Sequence, residues 1–277
     1  MKNVISITAI AVLAGLVLPT TAEASITNGG FEDDFTGWEA IGDYRVENSK
    51  FGSGPIERTS QAFLSTAFNE IVGIDENGYE IIGGNAAPVT FISGFAEDYS
   101  LEGFFSSSTF FGDDLLGGLA TAEPIEGSAI KQNFTASAGE TLSFSWNFLT
   151  NESTSQAAVD DFTYPDFNDF AFALIQSGSS IEWFRLADTI EDFNNSSTSF
   201  ADETGFRTFS YTVPTTDKYT LGIGVVDVGD STRVSGLLVD KVEAVPEPNS
   251  TLGTLAMLFL GASWTVAVQK RKQQKSH

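Results

Sequence analysis

Residues 141–149 read TLSFSWNFL, a segment in which polar and apolar side chains alternate almost strictly. Successive side chains of a β-strand point to opposite faces of its sheet, so this alternation predicts a strand that is buried on one face. The buried face consists of Leu142, Phe144, Trp146 and Phe148. We therefore expect residues 141–149 to line the core of an all-β domain.

Other short apolar or alternating runs lie on either side of this stretch, separated by clusters of Gly, Asn, Asp and Ser. Residues 170–175 predict a buried strand, and residues 235–242 predict a closing strand. Residues 207–213 and 219–226 flank a turn-like segment and predict two neighbouring antiparallel strands. Many short strands joined by turns are typical of a β-sandwich, and we expect one of jelly-roll type.

The domain organisation follows from what separates these strands. Residues 70–127 are rich in Gly and Phe and predict either a long decorated insertion or loops that cover one sheet. The sequence contains no clean internal repeat and no Pro/Ser/Gly linker of the kind that joins two domains. We expect a single β-sandwich ectodomain over residues 25–245.

Residues 1–24 have the pattern of a secretory signal peptide. Lys2 gives a positive start, residues 4–18 form an apolar run, and Pro19 precedes a region of small residues that ends at Ala24. Signal peptidase is expected to cut after Ala24. The alternative is a retained membrane anchor, but the apolar run is short for a span, which needs about 20 residues.

The C-terminal segment has three parts in order. Pro246, Glu247 and Pro248 precede an apolar stretch, residues 251–268, and a basic cluster follows it at residues 270–275. The apolar stretch is long enough for a transmembrane helix. The basic cluster should remain cytoplasmic, which places the domain on the other side of the membrane.

This three-part tail, residues 246–277, resembles the PEP-CTERM sorting signal of bacterial exosortase substrates, with Pro246, Glu247 and Pro248 at the positions that name the motif. The resemblance implies processing by an exosortase near the motif and release to the cell surface or extracellular matrix. Before processing, the protein would be held in the membrane with its C-terminus in the cytoplasm. The alternative is an ordinary C-terminal membrane anchor, which also places the domain outside.

Charge and composition exclude several function classes. The 277 residues include 37 acidic and 14 basic residues, a net charge of -23. Five of the basic residues lie in the terminal segments, so residues 25–250 keep 36 acidic and nine basic residues, a charge of about -27. Such acidity argues against a nucleic-acid partner. The sequence has no Cys, and its one His is the last residue, so Cys- or His-based catalysis and zinc binding are excluded.

The two ends of the predicted domain resemble galactose-binding-like jelly rolls, which include many carbohydrate-binding modules. Residues 28–32 read NGGFE and are followed by Gly37-Trp38, while residues 237–242 read LLVDKV. The resemblance implies that the first and last strands are adjacent and that a structural calcium ion lies between them. Glu32 and Asp240 are its expected ligands. The alternatives are a pair of surface carboxylates or a capping hydrogen bond.

A second oxygen-rich cluster and one aromatic residue complete the candidate sites. Calcium is a weaker prediction for the cluster, because it lacks the Gly and Glu of an EF-hand and is equally consistent with an acidic loop. The cluster consists of Asp160, Asp161, Asp166 and Asp169, together with Asn168. Trp183 is the expected glycan-stacking residue, whereas Trp38 and Trp146 are expected in the core.

These observations predict a secreted or cell-surface, non-enzymatic protein that binds extracellular glycan or contributes to the extracellular matrix. One alternative is a polysaccharide hydrolase that uses two carboxylates. With 36 acidic residues, some pair will have a suitable separation by chance, so their number is not evidence of catalysis. The other alternative is a purely structural or adhesive surface protein without affinity for sugars.

Overall fold

A computed structural model describes residues 25–74, 80–90, 99–106, 123–152, 168–229 and 231–246. These ranges are nearly all β-structure, with one short helix, α1 (Leu101–Phe105), and one 3-10 turn (Ser49–Phe51). None of their helices is long and apolar enough to cross a membrane. The predicted signal peptide, Glu247, Pro248, the predicted transmembrane helix at 251–268 and the basic tail lie outside the described residues.

The strands form two large antiparallel sheets and one small one. Sheet A has the order β10-β9-β14-β7-β1, with β6 also paired to β7. Sheet B has the order β11-β12-β8-β15-β3-β2, with β13 also paired to β8, and β4 and β5 form a separate hairpin. The strands are β1 (Glu39–Ile41), β2 (Asp43–Glu47), β3 (Gln61–Ser65), β4 (Phe68–Ile74), β5 (Glu80–Asn85), β6 (Ala87–Pro88), β7 (Pro124–Ala136), β8 (Thr141–Thr150), β9 (Phe170–Ser177), β10 (Ser180–Asp188), β11 (Asn194–Asn195), β12 (Asp202–Glu203), β13 (Arg207–Thr212), β14 (Asp217–Val228) and β15 (Ser235–Val245). The predicted all-β sandwich is confirmed.

The core lies between sheets A and B, and β8 supplies its largest side chains. Leu142, Phe144, Trp146 and Phe148 are all buried there, as the alternation predicts, and Trp38 is buried with them. Sheet A contributes the facing apolar side chains from β7, β9 and β14. Burying one such side chain stabilises the fold by about 1.5–3 kcal/mol, so this core is the main source of stability.

The prediction that residues 207–213 and 219–226 form neighbouring strands is wrong. β13 pairs with β8 in sheet B, whereas β14 lies between β7 and β9 in sheet A. The chain leaves sheet B at Val213, whose N–H donates to the Glu140 carbonyl at 2.8 Å, and then crosses to the other sheet. Both strands direct apolar side chains into the shared core, and they can do so from opposite sheets without pairing.

Helix α1 covers part of the outer face of sheet A. Leu101 and Phe105 are buried against side chains of β7 and β9, including Phe172 and Leu174. A Cβ atom on Gly222 of β14 would lie 2.4 Å from Cε1 of Phe105, so the absence of a side chain there lets the ring approach the sheet. Most of β4, together with β5, β6 and α1, lies within the predicted insertion at 70–127, whereas β7 of sheet A begins at Pro124, before the predicted end.

The opening segment lies against the closing strand, although it is a run of turns and not a strand. The N–H of Val242 donates to the Gly29 carbonyl at 2.9 Å. The approach is so close that a Cβ atom on Gly29 would lie 1.9 Å from the Val242 oxygen. The closing strand β15 runs to Val245, three residues beyond the predicted end at 242.

Candidate functional site

A groove of about 610 Å³ lies at the edge of the sandwich, where the chain passes from β1 in sheet A to β2 in sheet B. Gly42 makes this passage with a positive φ of 92°. A Cβ atom there would lie 2.3 Å from Oγ of Ser128, so the crossing requires glycine. Ser128 Oγ accepts from the Asp43 N–H at 2.7 Å and donates to the Ser65 carbonyl at 2.6 Å, which ties the two sheets together below the groove.

Three aromatic rings from three separate elements line this groove, which we call the aromatic groove. Its lining consists of Ala40, Ile41, Gly42, Asp43, Tyr44, Asn85, Tyr99 and Phe104. Tyr44 on β2 is 43% exposed, and its ring lies edge-on to Phe35 at 5.0 Å between centroids. The Phe35 contact holds an exposed tyrosine in one orientation, which is the arrangement that suits an amphipathic ring for binding.

The other two rings are also fixed by specific contacts. The Tyr99 hydroxyl donates to the Asn85 carbonyl at 3.3 Å, and burial, followed by the nearby Tyr44, raises the pKa of Tyr99. Lys131 Nζ lies 4.3 Å from the centroid of the Phe104 ring and donates to the Phe104 carbonyl at 2.6 Å. The raised pKa keeps Tyr99 a neutral hydroxyl group at neutral pH, and the contacts of Lys131 hold Phe104 in place.

The polar part of the groove contains one carboxylate among the described lining residues. Asp43 Oδ2 accepts a hydrogen bond from the Ser65 hydroxyl and lies 3.8 Å from Nη1 of Arg45. Ring faces beside a few fixed polar groups are typical of sites that bind a small polar ligand.

A second cavity of about 350 Å³ adjoins the first and shares Asp43 with it. We call it the arginine cavity, because Arg45 and Arg233 both line it. The remaining lining residues are Phe63, Ser65, Ala67, Gly84, Asn151, Ser199, Phe200, Thr232 and Val234. The Arg45 guanidinium lies 4.1 Å from the centroid of the Phe63 ring, and Nη1 of Arg233 donates to the Asn151 carbonyl at 3.1 Å.

A third hollow, of about 510 Å³, lies on sheet A and is lined by polar residues of β7, β9 and β14. Its members include Asn133 and Thr220, which are joined by a hydrogen bond of 2.6 Å. The aromatic residues at its edge, Phe134 and Tyr219, are buried in the core. It therefore lacks the exposed ring that distinguishes the aromatic groove.

The structure places Glu32 and Asp240 on either side of the segment 56–60, which we call the clamp loop. Asp240 is fully buried, and its Oδ2 accepts from the N–H groups of Ile56 and Glu57, both at 2.7 Å. Its Oδ1 accepts from the Lys241 N–H at 2.6 Å. Asp240 thus holds one end of the clamp loop against β15.

Glu32 holds the other end of the clamp loop. Its Oε1 accepts from the N–H groups of Thr59 and Ser60 at 2.8 and 2.9 Å, and its Oε2 accepts from the Thr59 hydroxyl at 2.6 Å. The hydrogen bonds from Thr59 lower the pKa of Glu32, whereas burial raises the pKa of Asp240 despite its three N–H partners. The capping alternative therefore accounts for both carboxylates.

The oxygen lone pairs that remain free on Glu32 and Asp240 decide how well calcium would fit between them. Each carboxylate oxygen has two lone pairs, so the contacts above leave one on Asp240 Oδ1 and one on Glu32 Oε2. A Cβ atom on Gly30 would lie 3.8–4.0 Å from Asp240 Oδ1, Glu57 Oε2 and Cγ of Glu32. In the described ranges no three Asp, Glu or His side chains form a metal-holding group. Calcium here stays a prediction.

Of the second predicted cluster, Asp160, Asp161 and Asp166 lie outside the described residues. Asp169 is fully buried, and its Oδ1 accepts from the Val228 N–H at 3.0 Å while its Oδ2 accepts from the Ser235 hydroxyl at 2.6 Å. These bonds tie β14 in sheet A to β15 in sheet B. The structure thus gives Asp169 a structural role between the sheets.

Trp183 lies on the outer face of sheet A and is only partly exposed. Its ring packs 5.5 Å from Phe172 and 6.3 Å from Phe105, measured between centroids. It is outside the lining of the aromatic groove. Its role in glycan stacking stays a prediction.

Sequence reasoning did not identify Tyr44, Tyr99, Phe104, Arg45 or Arg233 as site residues. Only tryptophans are considered as stacking residues in the sequence prediction, although tyrosine has the same combination of an apolar ring and a polar group. Tyr44, which follows the crossing at Gly42, could therefore have been predicted from the sequence. The two arginines carry no local motif.

The sequence matches no protein-family model and no curated protein. Among solved structures, a family 61 carbohydrate-binding module in complex with β-1,4-galactotriose is similar over 82% of this chain and 100% of that one, with 10% identity and a TM-score of 0.40. A family 4 carbohydrate-binding module is similar over 78% of this chain and 99% of that one, with 11% identity and a TM-score of 0.33.

A third similar structure is the enzymatically active domain of a bacteriophage CBA120 tailspike protein. It matches over 80% of this chain and 21% of that one, with 9% identity and a TM-score of 0.36. At these identities and TM-scores, none of the likenesses carries a conclusion about the ligand or activity of this chain.

Proposed function

We propose that this protein is a non-enzymatic, exported glycan-binding protein and that the aromatic groove is its binding site. The observation that carries the proposal is the meeting of Tyr44, Tyr99 and Phe104 in one open groove beside Asp43 and Asn85. Pyranose rings present C–H groups on one face and hydroxyl groups around the rim, which match an aromatic ring face with polar groups beside it. The exposed part of the Tyr44 ring is available for such stacking.

The same groove gives no support for a hydrolase. Glycoside hydrolysis uses two carboxyl groups about 5–10 Å apart on either side of the scissile bond. Asp43 is the one carboxylate in the described lining, and it is engaged by Ser65 and lies near Arg45. Binding without turnover is therefore the function that the groove supports best.

The decisive experiment compares Tyr44→Ala with Tyr44→Phe. Affinity of the purified protein for a panel of polysaccharides is measured by isothermal titration calorimetry and affinity electrophoresis. Tyr44→Ala is expected to weaken binding about tenfold or more, since one stacked aromatic ring contributes roughly 1–3 kcal/mol by analogy with base stacking. Tyr44→Phe keeps the ring and is expected to retain most of the affinity.

Three results would count against the proposal. If the protein binds no polysaccharide in the panel, it is a structural or adhesive protein. If it binds but Tyr44→Ala is silent, the site lies elsewhere. Turnover of a polysaccharide that is lost on replacement of a single carboxylate would make the protein a hydrolase. Melting temperatures of both variants show whether loss of the contact with Phe35 has disturbed the fold.

Export and sorting form a separate part of the proposal. Signal peptidase removes residues 1–24, and an exosortase acts at Pro246-Glu247-Pro248, with residues 251–268 holding the precursor in the membrane. The support is the order of the three parts in the sequence. Replacing all three motif residues by Ala should leave the protein in the membrane fraction, whereas the unchanged protein is found at the cell surface or in the matrix. Equal distribution of the two forms would contradict sorting.

Calcium between Glu32 and Asp240 is the remaining proposal. Calcium takes six to eight oxygen ligands, and one lone pair remains on an oxygen of each of these carboxylates. Bound there, calcium would offset the repulsion among Glu32, Glu57 and Asp240 around Gly30. Such a metal would have a structural effect on the clamp loop, and its test is a measurement of stability.

A further inference from the structure

The arginine cavity concentrates positive charge in a strongly acidic chain. Two of the nine basic residues within 25–250, Arg45 and Arg233, line this single cavity of about 350 Å³. We propose that the cavity binds the carboxylate or sulfate group of an anionic glycan whose neighbouring sugar occupies the aromatic groove. This inference rests on the glycan binding proposed above and names the chemical class of that glycan.

Arg45 is held in position for such a contact. Its guanidinium lies on the Phe63 ring, and its Nε donates to Glu47 Oε1 at 2.6 Å. The hydrogen bond to Glu47 uses one of the five N–H groups of a guanidinium, which leaves those on the two terminal nitrogens for another acceptor. A planar guanidinium fixed by stacking loses little freedom when it binds an anion with two parallel hydrogen bonds.

Arg233 contributes a charge that a neutral group holds in place. Its Nη1 donates to the backbone carbonyl of Asn151 at 3.1 Å, and in the described part of the chain no carboxylate lies within 4.0 Å of its side-chain nitrogens. Asp43 lines the same cavity and Glu47 pairs with Arg45 from beside it, so Arg233 is the cation of this cavity that has no carboxylate partner among the described residues. An anion bound here would take that place.

The two cavities are neighbours at the edge of sheet B, since Asp43 lines each of them and the consecutive residues Gly84 and Asn85 line one apiece. Tyr44 and Arg45 are consecutive on the edge strand β2, so their side chains point to opposite faces. A glycan that occupies both cavities therefore passes over this edge. Phe63 and Phe200, with ring centroids 6.0 Å apart, give the cavity an apolar floor.

The large negative charge of the chain does not decide the outcome at physiological salt. The Debye length is about 8 Å at 0.15 M ionic strength, so carboxylates farther away are largely screened. Contacts made in the cavity are at hydrogen-bond distance, well inside the Debye length, and charge-assisted hydrogen bonds from arginine are about twice as strong as neutral ones. Lowering the salt should weaken the binding of a polyanion as the screening of distant carboxylates is lost.

The test measures binding of the purified protein at 0.15 M salt to polygalacturonate, hyaluronan and dextran sulfate, each beside its carboxyl-reduced or unsulfated counterpart. The variants are Arg45→Gln and Arg233→Gln, and Lys218→Gln on sheet A is the control for removing a positive charge. Each arginine variant should weaken binding to the anionic polymers about 10- to 100-fold and leave the uncharged counterparts unaffected. The carboxylate and sulfate polymers show which anion is preferred.

The possible outcomes separate anion binding in the arginine cavity from glycan binding, the function on which it rests. Equal affinity for charged and uncharged polymers, or an equal effect of Lys218→Gln, overturns the arginine cavity and leaves glycan binding intact. Loss of binding in the arginine variants with a silent Tyr44→Ala supports the cavity and overturns the aromatic groove. Failure to bind any polymer overturns both. Arg45→Lys keeps the positive charge but loses the two parallel N–H donors of the guanidinium, so it should give an intermediate affinity. It also serves as a second variant if Arg45→Gln does not fold.

Discussion

Two segments that cover the outer faces of the sandwich, α1 and the clamp loop, are held by different forces. On sheet A, α1 buries Leu101 and Phe105 against apolar side chains, with Gly222 leaving room for the ring. On sheet B, the clamp loop donates five hydrogen bonds to two carboxylates, Asp240 and Glu32. α1 thus depends on the hydrophobic effect, which has little sensitivity to pH, and the clamp loop on carboxylate acceptors. Elsewhere on sheet B, an apolar cluster that includes Phe63 and Leu238 is also buried.

The aromatic groove draws on elements beside both sheets. Phe104 comes from α1 on the side of sheet A, and Tyr44 comes from β2 at the edge of sheet B. The described lining contains no residue of the clamp loop, so variants of α1 should change both stability and glycan affinity, whereas variants of the clamp loop should change stability alone.

Phe105→Ala should have the largest effect on stability. Removing this buried ring costs about 3 kcal/mol, near the lower end for Phe-to-Ala changes, because α1 is short and sheet A can partly relax. For a domain of this size the loss corresponds to a melting temperature lowered by roughly 6–12 °C. Glycan affinity should fall as well, since α1 positions Phe104. Thermal melts followed by circular dichroism measure the first effect and calorimetry the second.

Phe68→Ala is the matched control, because Phe68 on β4 is an exposed phenylalanine. It should leave the melting temperature nearly unchanged. If the two variants melt together, α1 does not contribute to closing sheet A.

Asp240→Ala should have the next largest effect. It leaves the N–H groups of Ile56, Glu57 and Lys241 without their acceptor, at a cost of about 2 kcal/mol. Asp240→Asn keeps one oxygen acceptor and should cost about half as much. Urea denaturation gives both values. An alanine variant as stable as the unchanged protein would show that the clamp loop is not held through Asp240.

Calcium should stabilise the clamp loop, which Glu32 and Asp240 hold, and should not change the packing of α1. At a concentration ten times its dissociation constant, an ion bound only to the folded state adds about 1.4 kcal/mol. Melting temperatures in calcium and in chelator measure it, and the increase should vanish in Glu32→Gln. Asp217→Asn, an exposed carboxylate on sheet A, is the control. The same melting temperature in calcium and chelator would exclude the metal.

The pH dependence should be the smallest effect, with opposite signs at the two carboxylates. The lowered pKa of Glu32 means that its contribution is complete above about pH 4.3 and is lost as pH falls through the folded-state value. The raised pKa of Asp240 means that stability falls as pH rises from about 3.9 through its folded-state value.

Melting temperatures between pH 3 and pH 6 separate these two contributions. Glu32→Gln should reduce the loss of stability on the acid side, whereas Asp240→Asn should make that loss steeper. A change in the same direction for both variants would contradict the assignment of the two pKa shifts.

The sequence was sufficient for what local patterns determine. The alternation in 141–149 predicted the buried face of β8, because side chains on a strand have a period of two and need no partner to define it. The same reasoning failed for 207–213 and 219–226, since a turn between two strands does not say whether the chain pairs back or crosses to the other sheet.

The candidate site was much less accessible from the sequence. Tyr44, Asn85 and Phe104 are up to 60 positions apart, and they meet only because Gly42 carries the chain across the sandwich edge and α1 lies on sheet A. Glu32 and Asp240 were predicted as partners from a resemblance, and the structure does bring them to the same loop. Their hydrogen bonds depend on the conformation of the clamp loop, which no local pattern specifies.

The length of β15 has a geometric consequence for an attached protein. Arg233 and Val234 line the arginine cavity directly before its first residue, Ser235, and Pro246 follows its last residue, Val245. Eleven extended residues span roughly 36 Å at about 3.3 Å each. In a protein attached through the segment after Pro246, the cavity would lie about one strand length from the attachment point.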